Sequence, residues 1–422
     1  MHLFKWLRVI VLLLLCQGGT LLLGNLTAFA ASDPGITAPQ VQAEYPQVSS
    51  ADPGQKNNGE NQASNQTSQH IDTSKVDKFW NDLHEKYGGY LPNMQNGDIF
   101  HAFLPGNKGF GIKGVIEGIV RFVFHELWSD SKLLGTILIL GLLAALLTTM
   151  QSAFESNMVS KLSYYVCYMV LIVLAITSFN TAIGYAKQAI QTMVDFMAAM
   201  IPMMLTMLAS VGNITTVTLF HPLMAFIINI TSAVVLYVVF PLLFFSAILN
   251  IVSGLSDSFK FSNLAGLIRT VSLTLLGVLF MFFLGIISVE GAIGTVTDSY
   301  SIKAAKFLAS NFIPVVGKMF SDATETVIGA SLLVKNAVGL GGVLIVLFIC
   351  AFPSIQILSL SLIYNLASAL IQPLGNSPIV SCLSQIGKSM SLVFAALATV
   401  GLMFFISITM IIAASNLSVM MR

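Results

Sequence analysis

Long apolar runs separated by short polar breaks fill the chain from about residue 132 to its end. Most are as long as the roughly 20 residues that an α-helix needs to cross about 30 Å of hydrocarbon. The runs are Leu133 to Met150, Leu162 to Tyr185, Leu219 to Ile251, Val271 to Val289, Leu340 to Ile371 and Leu392 to Ala414, with a shorter one from Met193 to Leu208. The pattern predicts an all-α polytopic membrane protein with about six to eight transmembrane helices.

The two longest runs exceed one crossing, and each contains a proline near its middle, Pro241 and Pro353. Proline removes a backbone hydrogen bond and kinks or breaks a helix. Each of these runs is therefore compatible with a kinked span, a helical hairpin, or a span followed by a re-entrant piece.

A polar stripe interrupts the apolar pattern between Phe312 and Asn336. At helical spacing, one side of this stretch carries Lys318, Ser321, Asp322 and Glu325, while apolar residues cover most of the rest. A helix of this kind is too polar to face lipid on all sides. We expect it to lie at the membrane interface, to line a watery cavity, or to pack its polar face against a partner.

The N-terminal residues have the pattern of a secretory signal peptide over residues 1–30. Lys5 and Arg8 precede an apolar run, and Ala28 and Ala30 fit the small-residue rule for cleavage. An uncleaved anchor helix is the alternative. With a signal peptide, we expect the mature chain to begin near Ala31, outside the cytoplasm.

Two extracytoplasmic segments follow this leader. Residues 31–75 are rich in Gln, Asn, Ser, Pro and Gly, which predicts a disordered linker. Residues 76–131 regain aromatic residues and end in an amphipathic helix at 111–130, with Trp128 placed to anchor it in the membrane interface. A helix packed on the preceding segment is the other interpretation of 111–130.

The remainder divides into a first membrane block at 132–289, amphipathic polar-faced helices at 290–339 and a second membrane block at 340–422. Ile201-Pro202 and Phe240-Pro241 recur as Ile313-Pro314 and Phe352-Pro353 at one common offset. We interpret this as two related halves of the type found in transporters, with inverted and parallel arrangements both open. Lys260 and Arg269 make the best cytoplasmic loop by charge, and Arg269 is placed to extend to the interface.

Composition excludes several function classes. The chain is 55% hydrophobic and 9% charged, whereas soluble proteins are about 25% charged. Its net charge of +1 and the absence of a basic patch argue against nucleic acid as a partner. We find no P-loop, no metal-ligand spacing and no catalytic motif, so we expect a protein that is not an enzyme and carries no cofactor.

The stretch FIPVVGKMFSDATETVIGASLLVKN, preceded by EGAIGTVTDSYSIKAAKFLASN and followed by a Gly-rich span, resembles the stage III sporulation protein AE family of endospore-forming bacteria. The resemblance implies a permease-like membrane component of the channel complex that joins mother cell and forespore, placed in the outer forespore membrane. The partners it implies are ring-forming proteins, a secretion-type ATPase and a forespore protein.

Two functions are compatible with these residues. In one, the spans line a route for small molecules and the polar face at 318–325 is part of it. In the other, the chain is a non-conducting scaffold that anchors extracytoplasmic rings, and the same face binds a partner. The sparse carboxylates Asp195, Glu290, Asp322 and Glu325 fit proton coupling or structural ion pairs such as Lys318 with Asp322.

Overall fold

The computed structural model describes residues 74–91, 112–153, 158–210, 214–254, 261–312, 316–374 and 378–420. These belong to one structural unit, Gly54–Arg422. The predicted signal peptide and the linker as far as residue 73 lie outside the described residues.

Helices make up nearly all of the described chain, and no strand occurs in it. The helices are α1 Ser74–Tyr87, α2 Ile112–Ser129, α3 Ser131–Ala153, α4 Met158–Ser210, α5 Ile214–Val234, α6 Phe240–Ser253, α7 Ser262–Phe312, α8 Val316–Ile371 and α9 Pro378–Met420. A π-helical turn, Val235–Val239, joins α5 to α6, and a short 3₁₀ turn, Gln372–Leu374, follows α8.

Six stretches of the described residues are long and apolar enough to cross a membrane. They are Lys113–Leu147, Leu162–Ala209, Pro222–Ser253, Ser262–Val289, Ser331–Leu374 and Pro378–Ala413. The predicted fold class, an all-α polytopic membrane protein, is thereby confirmed.

The prolines act differently from one another. Pro353 lies inside the 56-residue helix α8, so the hairpin and re-entrant alternatives for that run are wrong. Pro241 is at the start of α6, directly after the π-helical turn, which makes the earlier run a distorted helix. Pro202 lies inside α4, so the run from Met193 to Leu208 continues the preceding span instead of forming a separate segment.

The order of the contacts shows how the helices run. The α2–α3 pair lies along α8 in the same direction, because Phe122 meets Phe352 at 4.9 Å between ring centroids and Asp130 accepts a hydrogen bond from Ser359 at 3.2 Å. Farther along, Gly141 of α3 lies against the side chain of Ile371.

Helices α4 and α9 run antiparallel to α8. The Tyr364 hydroxyl donates to the carbonyl oxygen of Leu174 at 3.1 Å and is within hydrogen-bonding distance, 2.9 Å, of the Ser178 hydroxyl, which ties α8 to α4. Ser361 donates to the carbonyl oxygen of Gly387 at 2.8 Å, which ties α8 to α9. The helix α8 is therefore in contact with the elements on either side of it over most of its length.

The first helix packs onto this bundle through one apolar stripe. Val76, Trp80, Leu83 and Tyr87 are buried, and they recur at three and four residues. Tyr87 stacks on Phe352 at 4.1 Å between ring centroids. The returning aromatic residues predict a short ordered element here, against the membrane surface or a neighbouring protein, but α1 packs on the protein's own bundle.

Helix α2 packs on the turn after α1 and on α8. The rings of Tyr90 and Phe122 are 5.1 Å apart, so contact with the preceding segment, one of the two interpretations of this helix, is present. The candidate span that includes α2 begins at Lys113. Its position in the membrane interface stays a prediction.

The two predicted halves correspond to two helical hairpins. In the first, α5 and α6 form one arm and α7 the other, and in the second the arms are α8 and α9. Phe240-Pro241 and Phe352-Pro353 each lie in the first arm of a hairpin. Residues 313–315, which include Ile313-Pro314, lie outside the described residues, so the relation between the halves stays a prediction. The helices α7 and α8 run through residues 289 and 339, where the predicted block boundaries fall.

A pair of glycines in α2 tests this packing. A Cβ atom on Gly118 would overlap the backbone carbonyl of Tyr90, whereas one on Gly114 would meet nothing within 4 Å. We expect Gly118→Ala to destabilise the protein by about 1–3 kcal/mol because the backbone has to shift. Gly114→Ala, the matched control, should stabilise it by up to about 1 kcal/mol through helix propensity. Thermal unfolding in detergent measures both, and equal effects would contradict the described contact.

Candidate functional site within the membrane bundle

The predicted polar face lies at the start of α8. The backbone at Lys318, Ser321, Asp322 and Glu325 is helical, but these side chains lie outside the described ones, as does that of Glu290. The assignment of this face to a route or a partner surface therefore stays a prediction. Asp195 is exposed on α4 and accepts a hydrogen bond from Gln191 at 3.0 Å.

A lysine that the sequence analysis did not single out is buried farther along α8. Lys335 has 0% of its surface exposed, and its Nζ donates a hydrogen bond to the backbone carbonyl of Ile412 in α9 at 3.1 Å. An ammonium group has three donors. No carboxylate among the described side chains forms an ion pair with it. The sequence feature that could have indicated it is a lysine just before a long apolar run.

Glycines on α8 bring three helices together around this lysine. Gly339 lies against the side chains of Ile412 in α9 and Met204 in α4, and Gly342 lies against Met200. Small residues allow such close approach between helices in a membrane. The result is an amine enclosed by apolar side chains, in a region of low dielectric constant where an unpaired charge is costly.

The residue after this lysine adds a second polar group. The side-chain oxygen of Asn336 is buried and has no hydrogen-bond partner. Buried amide oxygens are usually satisfied, so one that is not marks a position for a ligand, a partner or an ordered water. Lys335 and Asn336 are the polar residues that we take as the candidate site.

Methionines pack densely beside this site. The buried ones on α4 are Met193, Met197, Met200, Met204 and Met207. Their flexible side chains fill irregular space between helices. Their burial fits helix packing within the bundle.

A second polar cluster lies where α2 meets α3. Asp130 accepts a hydrogen bond from Ser359, and Glu126 interacts with Gln356 of α8. The buried hydroxyl of Tyr87 faces Glu126 and has no hydrogen-bond partner. Burial, followed by the negative charge of Glu126, raises the pKa of Tyr87 to about 12.

A third polar contact joins α7 to α9. The guanidinium of Arg269 donates to the side-chain oxygen of Gln385 at 3.3 Å and to Ser389 at 3.5 Å. This arginine is half-buried.

In the described part of the chain, no group of three or more His, Cys, Asp or Glu side chains is arranged to hold a metal ion.

Comparison with known proteins shows which family this chain resembles. The family model for stage III sporulation protein AE matches residues 94–415. The chain is 46% identical over 361 residues to the stage III sporulation protein AE of Bacillus subtilis (strain 168), which covers 86% of this chain and 90% of that protein. No solved structure matches.

The chain belongs to the stage III sporulation protein AE family. The family resemblance found in the sequence is thereby confirmed, and a role in a sporulation complex follows with it. The matched region contains α2 to α8 and most of α9, and therefore both the Lys335 site and the Arg269 contact. Helix α1 precedes it.

Replacing the buried lysine separates its structural effect from its functional one. Lys335→Met keeps the length of the side chain and removes an amine that is costly to bury, so we expect equal or higher thermal stability in detergent. If the amine serves function, the frequency of sporulation should fall by about tenfold or more, because an ionisable group enclosed between spans is usually functional. Lys187→Met on the exposed surface of α4 is the matched control and should sporulate normally. Normal sporulation of the Lys335→Met strain would make this lysine a packing residue only.

The buried phenol of Tyr87 gives a pH-dependent prediction. Its folded-state pKa of about 12 exceeds the ordinary value of 10.0, so its contribution is complete below pH 10 and is lost as the pH rises through 12. Relative to Tyr87→Phe, the wild type should lose about 2 kcal/mol of stability by pH 12. At pH 8 the variant should be at least as stable, because it lacks an unsatisfied hydroxyl.

Thermal unfolding between pH 8 and pH 12 measures this difference. Tyr237→Phe is the control, because Tyr237 is 78% exposed. Parallel stability curves for wild type and Tyr87→Phe over the whole range would show that α1 does not bury this phenol.

Proposed function

We propose that this protein is a permease-like subunit of the channel complex between mother cell and forespore, located in the outer forespore membrane. The observation that carries the proposal is the buried amine of Lys335, which is enclosed between candidate spans about 6 Å from the start of its own span. Ionisable residues in a membrane interior are costly and are found mostly along substrate or ion pathways.

The polar groups of α8 lie in two places along a single helix. Asn336 follows Glu325 by about three helical turns, which places the two residues on the same side of α8, with the apolar residues Ile328 and Leu332 between them. A route along α8 would therefore pass from the predicted polar face to the candidate site across an apolar segment. The candidate site lies against α4 and α9, so small movements of these helices would open or close that route.

The other members of the complex supply what this chain lacks. No P-loop is present in the sequence, so energy from ATP would come from the secretion-type ATPase, and ring-forming proteins would extend the passage across the intermembrane space. A forespore protein would complete it on the far side. We propose that the chain itself catalyses no reaction.

A scaffold that does not conduct is the second candidate, and α1 favours it. The apolar stripe of α1 holds it against the bundle, while Lys78, Asp82, Glu85 and Lys86 are exposed on its other side. A charged helix face that is held rigidly outside the membrane is suited to binding an extracytoplasmic ring.

Charge reversal on α8 separates the two functions. In a conduit, Asp322→Lys with Glu325→Lys should leave the complex assembled but reduce transfer of a small fluorescent tracer from mother cell to forespore by tenfold or more. The physical reason is that reversed charge in a route changes the barrier to passage and leaves the outer surfaces intact. Co-purification of the complex measures assembly, and tracer imaging measures transfer.

The matched control is the reversal of Asp82 and Glu85 to lysine on the exposed face of α1. A conduit predicts normal transfer in this control, whereas a scaffold predicts lost assembly. Loss of assembly in the α8 variant, with transfer lost only as a consequence, would overturn the conduit proposal.

A further inference from the structure

An arginine without an anionic partner lies between α7 and α9. Arg269 makes two hydrogen bonds, to Gln385 and Ser389, and both are long, at 3.3 and 3.5 Å. Both acceptors are neutral, and guanidinium has five donors arranged to hold two oxygens of a phosphate or carboxylate. No carboxylate of the described residues forms an ion pair with this arginine, so most of its donors are available for a ligand.

The depth of Arg269 matches the boundary between hydrocarbon and headgroups. The candidate span of α7 is 28 residues, Ser262–Val289, or about 42 Å, which exceeds the hydrocarbon core of about 30 Å. Arg269 lies about 10 Å from the start of that span. Its long side chain can extend the remaining distance to the phosphate level.

Helix α9 places Gln385 at the same depth as Arg269. Gln385 also lies about 10 Å from the start of its span, Pro378–Ala413. This end is also the one for which Lys260 and Arg269 predict a cytoplasmic position, where anionic lipids attract basic groups.

The surface next to the arginine carries a further cation. Lys388 is exposed one turn from Gln385. Leu264, Leu267 and Val271 are exposed on the other side of α7, about 140–200° around the helix from Arg269, so they face away from the contact with α9. The match to a lipid therefore depends on charge and depth, because the two cations lie where the phosphate groups of a bilayer begin.

We infer that the surface where α7 meets α9 binds an anionic phospholipid through its headgroup phosphate. Arg269 holds two phosphate oxygens, while Gln385 and the buried Ser389 fix the orientation of the guanidinium. Lys388 supplies a second positive charge, and the acyl chains extend from this level into the hydrocarbon core. A zwitterionic lipid binds less well because its own cation opposes Lys388.

The test uses the full-length protein in detergent with phosphatidylglycerol or phosphatidylcholine added. Native mass spectrometry counts retained lipids, and thermal unfolding measures stabilisation. Wild type should retain phosphatidylglycerol at least fivefold more than phosphatidylcholine and should unfold at a higher temperature with it. Arg269→Gln should abolish this preference, and Arg269→Lys should keep part of it because charge remains without the forked geometry.

A matched control and a milder variant keep the test decisive. Arg121 is exposed on α2 and pairs with Glu117 at 3.2 Å, so Arg121→Gln should retain the preference. Lys388→Gln changes an exposed residue and should fold, with retention of phosphatidylglycerol reduced about two- to threefold. This variant gives the answer if Arg269→Gln fails to fold.

Two outcomes would overturn the inference. One is equal retention of the two lipids by wild type. The other is that Lys388→Gln and a folded Arg269 variant both keep the full preference for phosphatidylglycerol. Glycerol phosphate at millimolar concentration is tested in parallel. If it stabilises the protein as much as the lipid does, the site binds a free phosphate, and the inference is overturned.

Discussion

Hydrocarbon offers no hydrogen-bond partner, so every polar group inside the bundle has to find one on a neighbouring helix or on its own backbone. Several described serines and Tyr364 follow this constraint, whereas the buried hydroxyls of Tyr87, Tyr164 and Tyr168 have no hydrogen-bond partner among the described residues. Tyr364 bonds to α4, Ser361 to α9, and Ser246 of α6 to the carbonyl oxygen of Ala265 in α7 at 2.7 Å. These bonds fix which faces of the helices meet, because an apolar surface alone gains little by leaving apolar lipid.

Close helix contact and polar contact occur at the same positions. Gly387 lies against the side chain of Asn365 and also provides the carbonyl oxygen for Ser361, while Gly401 lies against Cys350. A larger residue at either glycine would separate α8 from α9 and lengthen the hydrogen bonds between them. The packing of α8 thus depends on where small residues place the backbones.

Lys335 and Arg269 are exceptions to full satisfaction by the described residues. Each has more donors than the acceptors that the described residues provide, and each lies between helices that meet through small or polar residues. The two differ in burial, since Lys335 is fully buried while Arg269 is half-buried, although both lie within about 11 Å of the start of a candidate span. This difference is the physical reason to connect the lysine with passage through the membrane and the arginine with the lipid around it.

The sequence by itself determined the fold class, the family and most span positions, because a run of apolar residues is sufficient to specify a helix in a bilayer. It did not reveal that α8 continues through Pro353, since a proline has the same local effect in a kinked helix as in a break. Lys335 was missed for a related reason. A lysine beside an apolar run has the same pattern whether it extends to the interface or is enclosed, and only the positions of α4 and α9 around it decided between them.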